Sequence, residues 1–267
     1  MDFCYQPDLH NHTTASDGLL SPAQLIQRAF DHGVNLLAIT DHDTVNGLEE
    51  GAAAAEKLGI CFVRGVEIGC NGGEEVHILG YGVENAGDEL HRFLKTMAEE
   101  RENRTDAILE RLGKLGLPLK KEEIRTGEGG VKGRPQIARA MIEKGYINDV
   151  QEGFRRYLGS GCPAYVPRKL ETAEKIVDML HRQKMLPVLA HPGLYRMDRT
   201  HLDKLVQRLI DAGLGGVEAF HPDNRGEGVL YWQRYAKQFG MLVTGGSDFH
   251  SSGDKHAEIG QMCASWS

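Results

Sequence analysis

The feature that most limits how this chain can fold is a recurring unit, a short apolar run that ends in histidine or an acid. VNLLAIT (34–40) runs into Asp41-His42-Asp43, LPVLA (186–190) into His191, GGVEAF (215–220) into His221, and MLVTGGS (241–247) into Asp248 and His250. Nearly continuous apolar runs of this length suit strands buried on both faces. The stretches between them carry helical spacing. Residues 21–33 open on Ser21-Pro22, an N-cap with proline at the first helical position, and end at Gly33. Leu25, Ile26, Ala29 and Phe30 fall on one face of that helix. Further helices are expected over about 46–58, 171–183, 199–212 and 225–239, and strands over 60–69 and 74–83, the latter holding His77. Strands alternating with helices predict an α/β fold with a parallel sheet, and this many units favour a barrel over an open sheet. The active face of such a barrel is formed by the strand C-termini. That is where the histidines and acids of this sequence recur.

The middle of the chain breaks the pattern. Between Gly87 and Gly161 no convincing strand occurs. A long charged helix over 88–112 is followed by short helices around 121–126, 135–144 and 149–158, with GEGGVKGRP (127–135) as a loop. The expected organisation is therefore a discontinuous barrel, 1–87 and 162–267, split by a helical insertion over 88–161. Charge follows the same division. The chain has a net charge of −7, yet residues 92–169 hold 17 Lys and Arg against 11 Asp and Glu. An acidic body with a basic middle suits an anionic substrate held over cations, and a solvated helical face would give the same count.

Composition narrows the setting. No run of about 18 apolar residues is present, and MDFCYQPDLH has neither a basic nor an apolar leader region. Cys4, Cys61, Cys70, Cys162 and Cys263 are scattered, without a CxxC pair, and are expected to be reduced thiols in a cytoplasmic protein. Neither a membrane nor an obligate protein partner is indicated.

His10 and His12 stand at i and i+2 at the end of the first expected strand, so both imidazoles can aim at one point beyond it. Asp17 follows five residues later. With His42, Glu67, His77, His191, Asp248 and His250 they make nine groups of the kinds that zinc, manganese and iron(II) accept. Nine is too many for one ion and suits two or three that share a bridging carboxylate. Any one of these histidines alone would be an ordinary polar residue; their repetition at equivalent positions is what points to metal.

The series DLHNH, Asp17, ITDHDT, GVEI, VHILGY, AHP and GSDFH resembles the PHP (polymerase and histidinol phosphatase) superfamily along nearly the whole chain. Within it the sequence is most similar to stand-alone bacterial phosphoesterases of the ribonuclease AM and 3′,5′-nucleotide bisphosphate phosphatase type. The resemblance implies a distorted (β/α)₇ barrel, TIM-like, with a helical insertion. It also implies two or three divalent ions, manganese first, with iron(II) or zinc as alternatives. By the same resemblance His10, His12, Glu67 and Asp248 would hold one ion, Glu67 with His77 and His191 a second, and Asp17, His42 and His250 a third. The implied activity is hydrolysis of the 5′-phosphate of nucleoside 3′,5′-bisphosphates, or 5′–3′ exonuclease action on short 5′-phosphorylated RNA, by hydroxide attack on phosphorus. Asp17 stands where histidinol phosphatases have histidine, which sets this chain apart from that branch. A phosphatase of another small phosphomonoester and a non-catalytic metal-binding domain are the alternatives.

Substrate contacts are harder to read. Arg134, in the Lys132-Gly133-Arg134-Pro135 turn, is the first candidate for a phosphate clamp, because a guanidinium forks onto phosphate and glycine admits close approach. The resemblance also places a GRP turn there. His221 can donate to a phosphate or protonate the leaving oxygen, or else steady a ligand from behind. Lys132, Asn224 and Arg225 are weaker candidates of the same kind. Asp41 and Asp43 flank His42 and are expected to orient its imidazole. Tyr231 and Trp232 have core spacing.

Overall fold

The computed structural model of the protein describes residues 5–126, 132–224, 226–252 and 257–262. Seven strands lie in one sheet in chain order: β1 (Pro7–Asp8), β2 (Leu36–Ile39), β3 (Cys61–Asn71), β4 (Glu75–Tyr81), β5 (Leu186–Leu189), β6 (Gly216–Phe220) and β7 (Leu242–Gly245). The two ends of the sheet meet through a parallel bridge between Asn11 and Phe249. Three backbone hydrogen bonds support it, Leu9 to Gly245, Asp248 to His10, and His12 to Phe249. The sheet is therefore nearly closed into a barrel. Helices α1 (Pro22–Asp31), α2 (Leu48–Leu58), α6 (Ala173–Arg182), α7 (Arg199–Asp211) and α8 (Glu227–Phe239) run between its strands.

Local signals account for the first βα unit. The Ser21 hydroxyl accepts from the Gln24 N–H while the Gln24 side chain accepts from the Ser21 N–H, a reciprocal cap at the start of α1. Leu25, Ile26 and Ala29 are fully buried against the sheet as their spacing requires, whereas Phe30 is 49% exposed.

One expectation is overturned. The sheet is not wholly parallel, because β4 runs antiparallel to both β3 and β5. Only Gly72, Gly73 and Glu74 separate β3 from β4. A parallel return needs a crossover of a dozen residues or more, so a link this short can only make a hairpin. The hairpin register sets Glu67 opposite Leu79 and His77 opposite Gly69. Glu67 and His77 are thus diagonal neighbours on one face of the sheet.

Between β4 and β5 lie α3 (Asp88–Lys114), α4 (Arg134–Glu143) and α5 (Val150–Gly153), the last running on through a π-helical turn over Phe154–Leu158. Ile108, Leu112, Ile137, Met141 and Leu158 form an apolar cluster of their own here, apart from the core between strands and helices. A third cluster of Leu9, Ala38, Leu79, Tyr81, Val188 and Ala190 fills the barrel interior. It makes a dry floor under the strand ends. Trp232 is buried in the core and Tyr231 packs beside it. Cys61, Cys70 and Cys162 are free thiols, and no helix among the described residues is long and apolar enough to cross a membrane.

Candidate metal centre

The strand ends converge on one carboxylate. Glu67 is fully buried, and its two oxygens face five imidazoles. Oε2 lies 3.3 Å from His10 Nε2, 3.3 Å from His12 Nε2 and 2.9 Å from His42 Nδ1. Oε1 lies 2.8 Å from His77 Nδ1 and 2.9 Å from His191 Nε2. Asp248 closes the other side, with Oδ1 3.4 Å from His10 Nε2 and 3.1 Å from His12 Nε2. Asp17 approaches from the loop after β1, 3.2 Å from His250 Nε2 and 3.9 Å from His42 Nε2. All nine residues expected to bind metal are therefore brought together.

A carboxylate can only accept hydrogen bonds, and a neutral imidazole nitrogen without its proton presents a lone pair. His10 Nε2, His12 Nε2 and Glu67 Oε2 are buried atoms that lack a hydrogen-bond partner. Lone pairs facing one another across 3.3 Å in a dry site repel unless a cation lies between them. The residues fit divalent metal. Three groups have one ligand atom from each residue within 4.8 Å of the others: His10, His12 and Glu67; His12, Asp17, His42 and His250; and His42, Glu67 and His77. The first holds three of the four residues expected at one site, without Asp248, and the second holds the three expected at another, with His12 added. The third group takes His42 where His191 was expected, although His191 Nε2 also reaches Glu67.

Without metal, protons take the place of cations. Burial alone would lower the pKa of His12, but Asp248 and Glu67 reverse that and push it up to about 10. His77 is likewise lifted to about 10 by Glu67 and Glu75, against the cost of burial. Burial would raise the carboxyls of Glu67, Asp17 and Asp248, yet the surrounding imidazoles hold all three well below the usual range.

The backbone is strained where it delivers these groups. His191 has φ 26°, Asp248 φ 52° and Asp43 φ 54°, uncommon values for side-chain-bearing residues. Gly246 serves a related need, since a Cβ there would lie 2.3 Å from that of His10.

A second tier of contacts fixes the imidazoles, and sequence reasoning missed its main member. Glu218 is a fully buried acid in β6; its carboxylate lies 3.0 Å from His10 Nδ1 and accepts the His191 backbone N–H at 2.7 Å. With the proton on Nδ1, His10 turns the Nε2 lone pair toward the centre. The signal was present, an acid between Val217 and Ala219 in an apolar strand. His250 is set the same way, with Nδ1 2.8 Å from the Asp248 carbonyl.

Asp41 and Asp43 do not orient His42. Asp41 is consumed by the Thr13 N–H and hydroxyl, both at 2.7 Å, and by the Ser16 hydroxyl at 2.6 Å, which shapes the loop leading to Asp17. Asp43 accepts the Gly69 N–H and pairs with Arg101 and Arg168. Each carboxylate is taken up by a neighbouring segment that needs an acceptor.

The substrate candidates separate. His221 is fully buried; its Nδ1 accepts the Asp223 N–H, so Nε2 carries the proton and faces Asp248 Oδ2 at 3.4 Å. Asn224 gives its amide hydrogens to the carbonyls of Glu218 and Ala219, which leaves no donor for a phosphate. Arg134 lies over Phe154 and Tyr165 at 5.3 and 5.8 Å. Lys132 is half-buried, its carbonyl accepting the Thr105 hydroxyl. Arg225 lies outside the described residues.

A family model described as PHP domain matches residues 8–160. The 3′,5′-nucleoside bisphosphate phosphatase of Chromobacterium violaceum is 34% identical over 95% of this chain and 90% of its own length. The 5′-3′ exoribonuclease of Haemophilus influenzae is 33% identical over 91% of this chain and 89% of its own. Among solved structures, a Chromobacterium violaceum protein described as an amidohydrolase, with sulfate and no metal bound, superposes with a TM-score of 0.86 at 32% identity. It covers 97% of this chain and 93% of that one.

Proposed function

The chain belongs to the PHP domain family of metal-dependent phosphoesterases, and from that premise we propose that its substrates are 5′-phosphorylated nucleotides. It would remove the 5′-phosphate of a nucleoside 3′,5′-bisphosphate, or release mononucleotides stepwise from the 5′ end of short RNA. The observation that carries this reading is Glu67, one buried carboxylate within 3.3 Å of five imidazoles. The two relatives named for nucleotide and RNA hydrolysis support the choice of substrate.

His10, His12, Asp17, His42, Glu67, His77, His191, Asp248 and His250 would hold two or three divalent ions, manganese first among them. When bound, such ions activate water near neutral pH and neutralise phosphoryl oxygens. Everything else falls to the chain. Glu218 and the Asp248 carbonyl fix which nitrogen of His10 and of His250 faces inward. The apolar floor under the strand ends keeps the site dry, which strengthens each electrostatic contact. His221 holds a proton on Nε2 beside Asp248 and would donate it toward the leaving oxygen. Residues 88–161 would be the insertion against which the rest of the substrate lies, with Arg134 as its phosphate contact.

The test is a substrate screen. Protein loaded with Mn²⁺ should release phosphate from adenosine 3′,5′-bisphosphate. Turnover of histidinol phosphate with that compound untouched would defeat the nucleotide reading.

A further inference from the structure

The strands that deliver His77 and His191 splay apart at the rim, and a tyrosine hydroxyl fills the gap. β4 and β5 pair antiparallel from Tyr81↔Leu186 to Ile78↔Leu189, so the next step of the register sets His77 opposite Ala190. Half of that rung is present, the Ala190 N–H donating to the His77 carbonyl at 3.1 Å. The other half is replaced. The His77 N–H donates to the Tyr195 hydroxyl oxygen at 3.0 Å, and the hydroxyl donates to the Ala190 carbonyl at 2.8 Å. A direct bond between that N–H and that carbonyl would draw the strands together. The inserted oxygen keeps them apart where they carry metal-ligand candidates.

The consequence falls on two imidazoles. Ala190 packs in the barrel interior, so a regular strand would turn the residue after it outward. His191 instead has φ 26°, and its Nε2 reaches Glu67 Oε1 at 2.9 Å, where His77 Nδ1 arrives at 2.8 Å. Strain of this kind persists only where the surroundings hold it. The peptide unit between Ala190 and His191 is gripped at both ends, its carbonyl by Tyr195 and its N–H by Glu218 at 2.7 Å. The turn over Pro192–Leu194 closes with the Leu194 N–H on the His191 carbonyl at 2.9 Å, which returns Tyr195 to the strand ends. There its ring packs against the core and meets the His191 imidazole edge-on, the ring centres 5.9 Å apart.

We propose that Tyr195 is a positioning residue whose hydroxyl sets the spacing of His77 and His191 around Glu67, and thereby the affinity for the ion these three share. This rests on the reading of the strand-end cluster as a metal centre, and the test separates the two.

Tyr195→Phe keeps the ring and removes the hydroxyl. Tyr231→Phe is the control, because the Tyr231 hydroxyl donates to Asp203 on α7, away from the strand ends. Metal-free proteins are titrated with Mn²⁺, with calorimetry for affinity and metal analysis for the ion count. In Tyr195→Phe one binding step should weaken about tenfold or more, the scale of outer contacts to metal ligands, while the others keep their affinity. Excess Mn²⁺ should restore the full count. Tyr231→Phe should lower Tm without moving any step. Hydrogen exchange of the metal-free protein gives a second readout: the His77 amide, deprived of its acceptor, should exchange faster in Tyr195→Phe than in the native protein. Native protein that binds no Mn²⁺ would defeat the metal reading, and exchange at His77 would then decide whether the hydroxyl holds the strands. Equal weakening of every step would mean a general loss of folding and overturn the proposal. So would an isotherm and a His77 exchange rate that both match the native protein.

Discussion

The two charged clusters of this molecule lie side by side and are built in opposite ways. The strand-end cluster is imidazole and carboxylate, buried, and supplied by six strands and the loops after them. The arginine cluster is cationic, half-buried, and supplied by one face of α3, the first turn of α4 and the segment after the helices. In the first, imidazoles and carboxylates face one another, and His10 Nε2, His12 Nε2 and Glu67 Oε2 are buried without a hydrogen-bond partner. In the second, Arg101 and Arg168 pair with Asp43, while Arg104 and Arg134 have no carboxylate at ion-pair distance among the described residues and feel Glu75 from further away.

The sharpest way to break this contrast is to remove the carboxylate on which the first cluster depends. Glu67→Gln keeps the shape but takes away the charge that faces five imidazoles. Turnover should drop by about 10³-fold and metal content with it, while Arg104→Met should cost far less and leave metal content alone. Equal losses in the two variants would mean that the clusters are not distinct in role.

Glu218→Gln probes support for the first cluster from behind. It should lower metal affinity about 10- to 100-fold, because the amide no longer fixes the His10 proton on Nδ1. A metal titration that matches the native protein would remove Glu218 from that role.

The contrast also predicts opposite responses to pH. His12 and His77 are lifted to about 10, so the stability they give the metal-free protein is complete below roughly pH 6.5, the unfolded histidine value. It is lost as pH rises toward 10. The depressed carboxyls of Asp17, Glu67 and Asp248 work the other way, and their contribution is lost as pH falls below about 4. Melting of metal-free protein should therefore weaken steadily from pH 6.5 to 9.5, and Mn²⁺ should flatten that slope by displacing the protons. A slope that metal leaves intact would argue against shared ligands.

The smallest effect concerns how the two regions are joined. Gln136, buried in α4, donates to the Ser16 carbonyl at 2.8 Å, and Arg139 donates twice to the Asp17 carbonyl at 3.2 and 3.3 Å. Both steady the loop that carries Asp17. Gln136→Ala should weaken the most loosely held ion about fivefold, the worth of one neutral hydrogen bond, and leave the others unchanged. Calorimetric isotherms that superpose on the native ones would show that the loop needs no such support.

The same contrast explains what could be read from the sequence. The strand-end groups were legible because strand register is periodic. Once Ile39, Leu189 and Gly245 are placed at strand ends, His42, His191 and Asp248 follow at the rim. The helical middle was legible as far as its helices, because proline and glycine punctuate it. Two things were hidden for physical reasons. The antiparallel course of β4 depended on the length of one link, Gly72 to Glu74, and not on strand composition. The partners of Arg101, Arg104 and Arg168 are set by tertiary packing between segments 58, 62 and 125 residues apart, and each arginine alone looks like surface charge. Asp43 shows the same limit, since its neighbour in sequence is His42 while its partners in space are arginines.

The central claim is that the strand-end cluster is a metal centre that hydrolyses phosphate esters. The most direct test strips the protein with chelator, assays phosphate release from adenosine 3′,5′-bisphosphate, and restores Mn²⁺ in steps against metal analysis. Activity should vanish on stripping and return in proportion to bound metal, levelling at two or three ions per chain. Full activity in protein that holds well under one ion per chain would contradict it.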